Sequence, residues 1–184
     1  MVDEQAFRDF AATRAPALHR AAYLLCGNHH EAEDLVQETL AKVYVAWGRR
    51  GVDNPAAYAR TTLTRTFISS RRRRSSTERP SEALPDVVLA EADTAAHLDL
   101  FRELRALPPV DRAVVVLRYL EDASVRETAA ALGLSEQAVR TRSSRALTRV
   151  RAAMTAPTHE ERVLAATTDR SRTVRPQTVL GGTR

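Results

Sequence analysis

Between Glu121 and Arg151 the chain is punctuated more tightly than anywhere else, and that punctuation leaves few folds open. Ser124 followed by Glu127 has the spacing of a capping box, in which each side chain satisfies a free backbone donor at a helix start. Ala129, Ala130, Ala131 and Leu132 continue a small apolar helix, and Gly133 offers the left-handed residue that ends one. Ser135 supplies a second N-cap, after which Val139, Ala146, Leu147 and Val150 recur at helical spacing. At about 100° per residue these four lie on one side of a helix. Gln137, Thr141, Ser144, Arg145 and Thr148 lie on the other, flanked by Arg140 and Arg142. From Gln137 to Ala156 the chain holds five arginines and no acid. A small-residue helix, a glycine turn and a cationic second helix make a helix-turn-helix with its polar face outward. An ordinary hairpin with a solvated face has the same pattern, so the rest of the chain must decide whether it reads DNA.

Composition narrows the class. The 184 residues suffice for one domain or two small ones. The formal charge of +5 admits a polyanionic partner without requiring one. Of 28 basic residues only Lys42 is lysine, which suits bidentate contacts to phosphate and guanine but equally fits a GC-rich genome. The single cysteine, Cys26, excludes an internal disulfide and suits a reducing compartment. No signal-peptide pattern opens the chain, and no apolar run approaches the ~18 residues that would span a bilayer. The expectation is a cytoplasmic protein with no membrane partner. Helix formers dominate, and no alternating strand pattern occurs, so the expected class is all-α.

Taken in order, Phe7, Phe10, Leu18, Ala21, Ala22 and Leu25 recur at helical spacing, with Pro16 placed to kink or split the helix. Asn28 with Glu31 forms a second expected capping box, opening a helix to about Trp47. Its apolar stripe is Ala32, Leu35, Val36, Leu40, Val43, Tyr44 and Trp47; Glu33, Asp34, Gln37, Glu38 and Lys42 occupy the other face. Asn54-Pro55 caps a third helix running through Ser70, with Tyr58, Ala59, Leu63, Phe67 and Ile68 as core contacts. Arg60 and Arg65 project from it, and Arg71, Arg72, Arg73 and Arg74 end it. Residues 75–92 read as a flexible linker with a short ordered piece at Val87–Leu89. A helix capped by Asp93 or Thr94 carries Leu98, Phe101, Leu104 and Leu107, and Pro109 opens another that turns Val114, Leu117 and Leu120 inward. The expected organisation is two small helical domains, 1–74 and 93–156, on a tether. A polar tail, 157–184, comes last and is expected to be disordered except for a marginal helix over Thr158–Thr168.

Catalytic and metal chemistry find little footing. Cys26, His29 and His30 lack a regular ligand spacing and a fourth donor. Glu31, Glu33, Asp34 and Glu38 fall in early helical turns, where the dipole favours carboxylates. No nucleophile–base arrangement or glycine-rich phosphate loop stands out. The chain is therefore read as a non-enzyme without a cofactor.

With both halves read, the order of features resembles the extracytoplasmic-function (ECF) sigma factors of RNA polymerase, and among them the actinobacterial SigE-family subset. The resemblance rests on Ala32–Glu38, Asn54–Tyr58 and the Arg71–Arg74 run in the first half. In the second half it rests on Leu104–Pro109, Val114–Tyr119, Glu127–Ala129 and Ser143–Leu147, and it covers about residues 1–154. It implies that the first half is sigma region two. There Asp34, Leu35, Gln37 and Glu38 would serve docking on the beta-prime clamp helices. Tyr58, Arg60, Arg65 and Arg71–Arg74 would meet the minus-ten element, where a base can be captured out of the stack. The second half resembles region four, with Ser135, Gln137, Arg140, Thr141, Arg142, Ser144 and Arg145 on the minus-thirty-five element. The partners implied are the polymerase core, including its beta flap, promoter DNA, and, where one exists, an anti-sigma factor. Relatives often carry tryptophan at the Tyr58 position and asparagine at the Arg65 position. A stand-alone helix-turn-helix regulator is the alternative, and an adaptor that uses only the acidic helix is another.

Overall fold

The computed structural model describes residues 4–47, 52–77 and 95–155, all helical apart from short turns, and no strand occurs among them. The tether beyond residue 77, the cap at Asp93 or Thr94 and the polar tail with its expected Thr158–Thr168 helix lie outside the described residues.

Helix α1 (Glu4–Cys26) passes through Pro16 as one element, so the expected split does not occur. The amide that Pro16 lacks would have bonded the carbonyl of Ala12. Both residues are exposed, and water can take that carbonyl. Gly27, at φ +82°, turns the chain into α2 (His29–Ala46). Asn28 caps α2 by accepting from the Glu31 amide at 2.7 Å. The reciprocal half of the expected box is replaced: the Glu31 carboxylate reaches across to Arg71 and Arg74 of α3 (Pro55–Thr77) instead. Asn54 caps α3 through the Ala57 amide at 3.0 Å. That helix continues through the arginine run rather than ending at it.

Helices α4 (Ala95–Ala106) and α5 (Pro109–Val115) come next, and α5 widens into a π-helical turn at Val116–Leu120. The Glu121 amide bonds back five residues to the Val116 carbonyl. The extra residue in this turn rotates the side chains at its end, so Leu120, expected in the core, is 39% exposed while Val114, Val116 and Leu117 are buried. The capping box of Ser124 and Glu127 is complete at α6 (Val125–Leu132). Gly133 adopts the left-handed conformation at φ 66°, and Ser135 caps α7 (Glu136–Thr155) through the Ala138 amide at 3.1 Å.

The described residues up to Met154 make one compact unit. Its main hydrophobic cluster joins Leu18, Leu25, Leu35, Val36, Leu63 and Phe67 from α1–α3 with Ala113 and Val116 from the α5 segment. The two halves of the sequence thus share a core. Smaller clusters fix the helix-turn-helix: Val139 against Val114 and Ala129, and Ala146 with Val150 against Leu104 and Leu107.

A candidate nucleic-acid interface on two arginine-rich helices

Helix α7 presents its polar face as the periodicity requires. Val139, Ser143, Ala146 and Val150 are buried, one step apart in a stripe, and Leu147 is half-buried beside them. Gln137, Arg140, Ser144, Arg145 and Thr148 are exposed, with Thr141 and Arg142 half-exposed at the edges. Arg140 pairs with Glu136 one turn back at 2.7 Å, a solvated pair of small energetic consequence. Arg142 is held differently. Its guanidinium donates to the Asp111 carboxylate in the first turn of α5 at 2.5 Å, which aims it from the flank of the helix. Ser135 is spent on its own helix cap. No described residue pairs with Arg145 or Arg149, so the outermost part of this face keeps its cationic donors available.

Helix α3 carries six arginines to the five of α7, yet the fold engages most of them. The Arg65 Nε donates to the Ala131 carbonyl at 2.6 Å and its terminal nitrogen to the Ala130 carbonyl at 2.9 Å. Those carbonyls belong to the last turn of α6, where the helix dipole is negative and intrahelical donors have run out. Arg60 donates to the Glu121 carbonyl at 3.2 Å and faces the Glu121 carboxylate at 3.9 Å. Burial pushes the Glu121 carboxyl above its ordinary pKa, against the pull of Arg60. Arg71 and Arg74 share Glu31, at 2.6 and 2.5 Å, and Arg71 also lies over the Phe67 ring. Arg72 and Arg73 are exposed at the same end of the helix.

Tyr58, expected in the core, is 38% exposed. It lines an open cleft of about 480 Å³ with Lys42, Asn54, Thr62 and Arg65 where α3 starts beside α2. Lys42 closes one side of this cleft by donating to the Thr66 hydroxyl at 2.9 Å and pairing with Glu38 at 2.7 Å. On α2, Asp34, Gln37 and Glu38 are exposed, whereas Leu35 is buried in the main cluster. Leu35 can therefore support that face only from beneath.

The residue that sequence reasoning missed is Arg112. It is 7% exposed, and its guanidinium donates to three carbonyls: Leu25 at 2.5 Å, Arg105 at 2.5 Å and Leu107 at 3.2 Å. It also sits over Phe67. Burial, with Arg71 and Arg105 adding to it, lowers its pKa to about 10, so it remains a cation at neutral pH. Only its place directly before the apolar run Ala113–Val116 could have signalled it. Cys26 is buried with its thiol pushed up to about 11, chiefly by burial. His29 stacks on Tyr23 with ring centroids 4.5 Å apart. Neither has the company of further ligand side chains, and no group of three metal-binding residues occurs among the described residues.

Comparison with known proteins bears on both helices. Residues 10–77, which include α3, match the model of sigma-70 region 2, and residues 97–150, which include most of α7, match that of sigma-70 region 4. The chain is 38% identical over 165 residues to the RNA polymerase sigma-E factor of Streptomyces coelicolor, covering 86% of this chain and 91% of that protein. It is 36% identical over 142 residues to the ECF sigma factor SigE of Mycolicibacterium smegmatis, covering 71% of this chain and 54% of that one. Among solved structures it is similar to the sigma factor RpoE in complex with the anti-sigma factor NepR from Bartonella quintana. The TM-score there is 0.69 at 25% identity, over 84% of this chain and 99% of the other. It is also similar to CnrH in complex with the cytosolic domain of CnrY, with a TM-score of 0.61 at 26% identity over 85% and 92% of the two chains. The two family models, matched in order over residues 10–77 and 97–150, and the identity to the sigma-E and SigE relatives place this chain in the sigma-70 family, among the ECF sigma factors of RNA polymerase.

Proposed function

We propose that this sigma factor reads a promoter at two places and holds the polymerase at a third, each with a different helix. The outward cationic face of α7, with Arg145 at its crest, is the observation that carries the reading. Placed in a major groove, Arg145 and Arg140 offer planar donors to guanine edges or phosphates, with Gln137, Thr141 and Ser144 beside them. Arg142, aimed by Asp111, serves the flank. Salt dependence comes from the same geometry, since each phosphate contact displaces counterions.

On α3 the relevant feature is the cleft beside Tyr58. It is open and bounded by an aromatic ring, two cations and hydroxyls, a combination suited to a base lifted out of its stack. Arg72 and Arg73 lie at the end of the same helix, where they can track the backbone. Asp34, Gln37 and Glu38 on α2 supply the acidic surface for the clamp helices of the polymerase beta-prime subunit, and the region-four half would meet the beta flap. Sigma factors as a family are not catalysts; their contribution is differential binding of promoter and opened strand. The relatives RpoE and CnrH are each bound by a partner protein, and we extend to this chain an anti-sigma factor of its own. The sequence spans 1–74 and 93–156 would then be the two working parts, with 75–92 spanning between them.

Run-off transcription with purified core polymerase tests the assignment of faces. Arg145→Ala should cost about 1–3 kcal/mol of promoter discrimination, roughly 5- to 150-fold in promoter-specific transcript, and leave polymerase binding intact. Glu38→Arg should do the reverse. If both substitutions abolish only polymerase binding, the faces are wrongly assigned. A dimer that binds an operator without polymerase would favour a stand-alone regulator.

A further inference from the structure

We infer that Lys42 is a contact for the displaced DNA strand, its ammonium holding the phosphate that flanks the base taken into the cleft beside Tyr58. The inference deepens the reading of that cleft as a base-capture site and rests on it for the path of the strand. Lys42 is the one lysine among 28 basic residues, and it lies on α2, outside the arginine rows of α3 and α7. Its ammonium has three donors. One goes to the Thr66 hydroxyl of α3 at 2.9 Å and one to the Glu38 carboxylate one turn back at 2.7 Å. The two ties are unequal. Glu38 and Lys42 are each close to half exposed, so theirs is a solvated pair that adds little. Thr66, on another helix, is 4% exposed and fixes where the ammonium stands. No described residue takes the third donor, and the exposure of the side chain leaves it open to a ligand.

Position gives this donor its target. Lys42, Tyr58 and Thr62 line two adjoining open clefts, one of about 480 Å³ along α3 and one of about 420 Å³ against Ala41, Val45 and Ala46 of α2. These three side chains form the rim between the two. The larger cleft has a charge gradient along its length. Asp53 and Asn54 stand at the start of α3; Arg65 and Thr66 lie about three turns further along, with Lys42 on Thr66. A strand with a charge on every linkage is repelled at the Asp53 end and attracted at the Lys42 end. Its backbone therefore crosses the rim by Lys42 while one base turns in beside Tyr58. A compact ammonium suits a phosphate there, because it acts as a point charge and imposes no planar geometry. Arg65 is less free to do so, since its Nε and one terminal nitrogen are already on the Ala131 and Ala130 carbonyls. Lys42 can take a phosphate oxygen with its third donor and keep its hold on Thr66. Thr66 is then a positioning residue, acting on DNA only through the lysine.

The test uses the complex of the full chain with core polymerase and a fluorescent fork-junction DNA. The fork is built on a promoter that this complex transcribes, with the displaced strand unpaired across the minus-ten element. Single linkages of that strand are replaced in turn by uncharged methylphosphonate. At one linkage the replacement should weaken binding to the wild-type complex about tenfold and weaken Lys42→Met no further. In Lys42→Met the slope of log affinity against log salt should be shallower by about 0.7. Lys42→Arg should keep the wild-type slope. Thr66→Val leaves the charge in place but unanchored, so it should keep the slope and lose most of the effect at that linkage. Arg20→Met, an equal loss of charge on the exposed face of α1, should change neither the slope nor the linkage profile. The contact is overturned if every linkage costs the wild type and Lys42→Met alike, or if Arg20→Met flattens the slope as much as Lys42→Met does. Tyr58→Ala separates this contact from base capture. A coupled linkage in a complex that Tyr58→Ala does not weaken keeps the phosphate contact and sinks base capture. Weakening by Tyr58→Ala with no coupled linkage keeps base capture and sinks the contact.

Discussion

Helices α3 and α7 are close to twins in composition, and the fold treats them oppositely. Both are long, arginine-rich and poor in acid, with small residues between the cations. In α7 the cations of the polar face point outward, with Arg140 on Glu136 and Arg142 on Asp111. In α3 the stripe of Ala59, Leu63 and Phe67 sits at the centre of the main cluster, so its flanks touch protein on both sides. Arg60 and Arg65 meet the α6 side, and Arg71 and Arg74 meet Glu31 on the α2 side. An arginine's availability to DNA is therefore set by what its helix is packed between rather than by the helix that carries it. A surface read from charge alone counts α3 and α7 as equals.

The largest effect should come from Arg112, the cation that belongs to neither surface but joins the two halves. Arg112→Ala leaves the Leu25, Arg105 and Leu107 carbonyls without their donor and opens a void over Phe67. The expected loss is about 3–5 kcal/mol of unfolding free energy, read by urea denaturation. Arg112→Lys keeps the charge but cannot fork to three carbonyls, and should recover less than half. If both variants unfold like the wild type, the halves are not joined through this residue. Next in size is Arg65→Ala against Arg142→Ala. The first removes two hydrogen bonds to a helix end and should cost about 1 kcal/mol of stability. The second removes a partly exposed pair with Asp111 and should cost about 0.5 kcal/mol. Reversal of that order would mean that α7, not α3, is the more embedded helix.

Much of this fold was legible because caps and turns are local. Ser124 with Glu127, Gly133, Ser135 and Asn54 each determine a helix boundary through residues three or four positions away, and each does so in the structure. The outward face of α7 was legible for the same reason, since a helix wheel is a local property. What escaped was long-range or non-ideal. Glu31 left its capping role because Arg71 and Arg74, forty residues on, offer two charge-assisted bonds where the Asn28 amide offers one neutral donor. Leu120 left the core because the π-helical turn shifts the phase of α5, and nothing in Val114–Leu120 announces it. The partners of Arg65 lie 65 and 66 residues away, and the Leu25 carbonyl lies 87 residues from Arg112. No periodicity can pair residues at such separations.

Cys26 tests the contrast between the halves at its smallest scale. Its thiol is 6% exposed, points at the Glu31 carbonyl at 3.7 Å and is pushed up from its ordinary 9.0 to about 11. Burial is the main cause and Glu31 adds to it, while Arg71 and Arg112 pull the other way. At pH 8 the thiolate fraction falls from about a tenth to about a thousandth, so alkylation by iodoacetamide should be slowed roughly a hundredfold before access is considered. Two of the groups around it, Glu31 and Arg71, belong to the α1–α3 half, and Arg112 belongs to α5. Glu31→Gln removes one raising influence and frees Arg71 and Arg74 from their acid, so the thiol pKa should fall and labelling quicken modestly. Arg112→Ala loosens the cover that the α5 segment supplies and also removes a charge that lowers the thiol pKa. If labelling accelerates in that variant, access through the α5 side outweighs the lost charge. A rate identical in the wild type and Arg112→Ala would mean that α1–α3 shield the thiol unaided, and that the core shared with α5 contributes little to burying it.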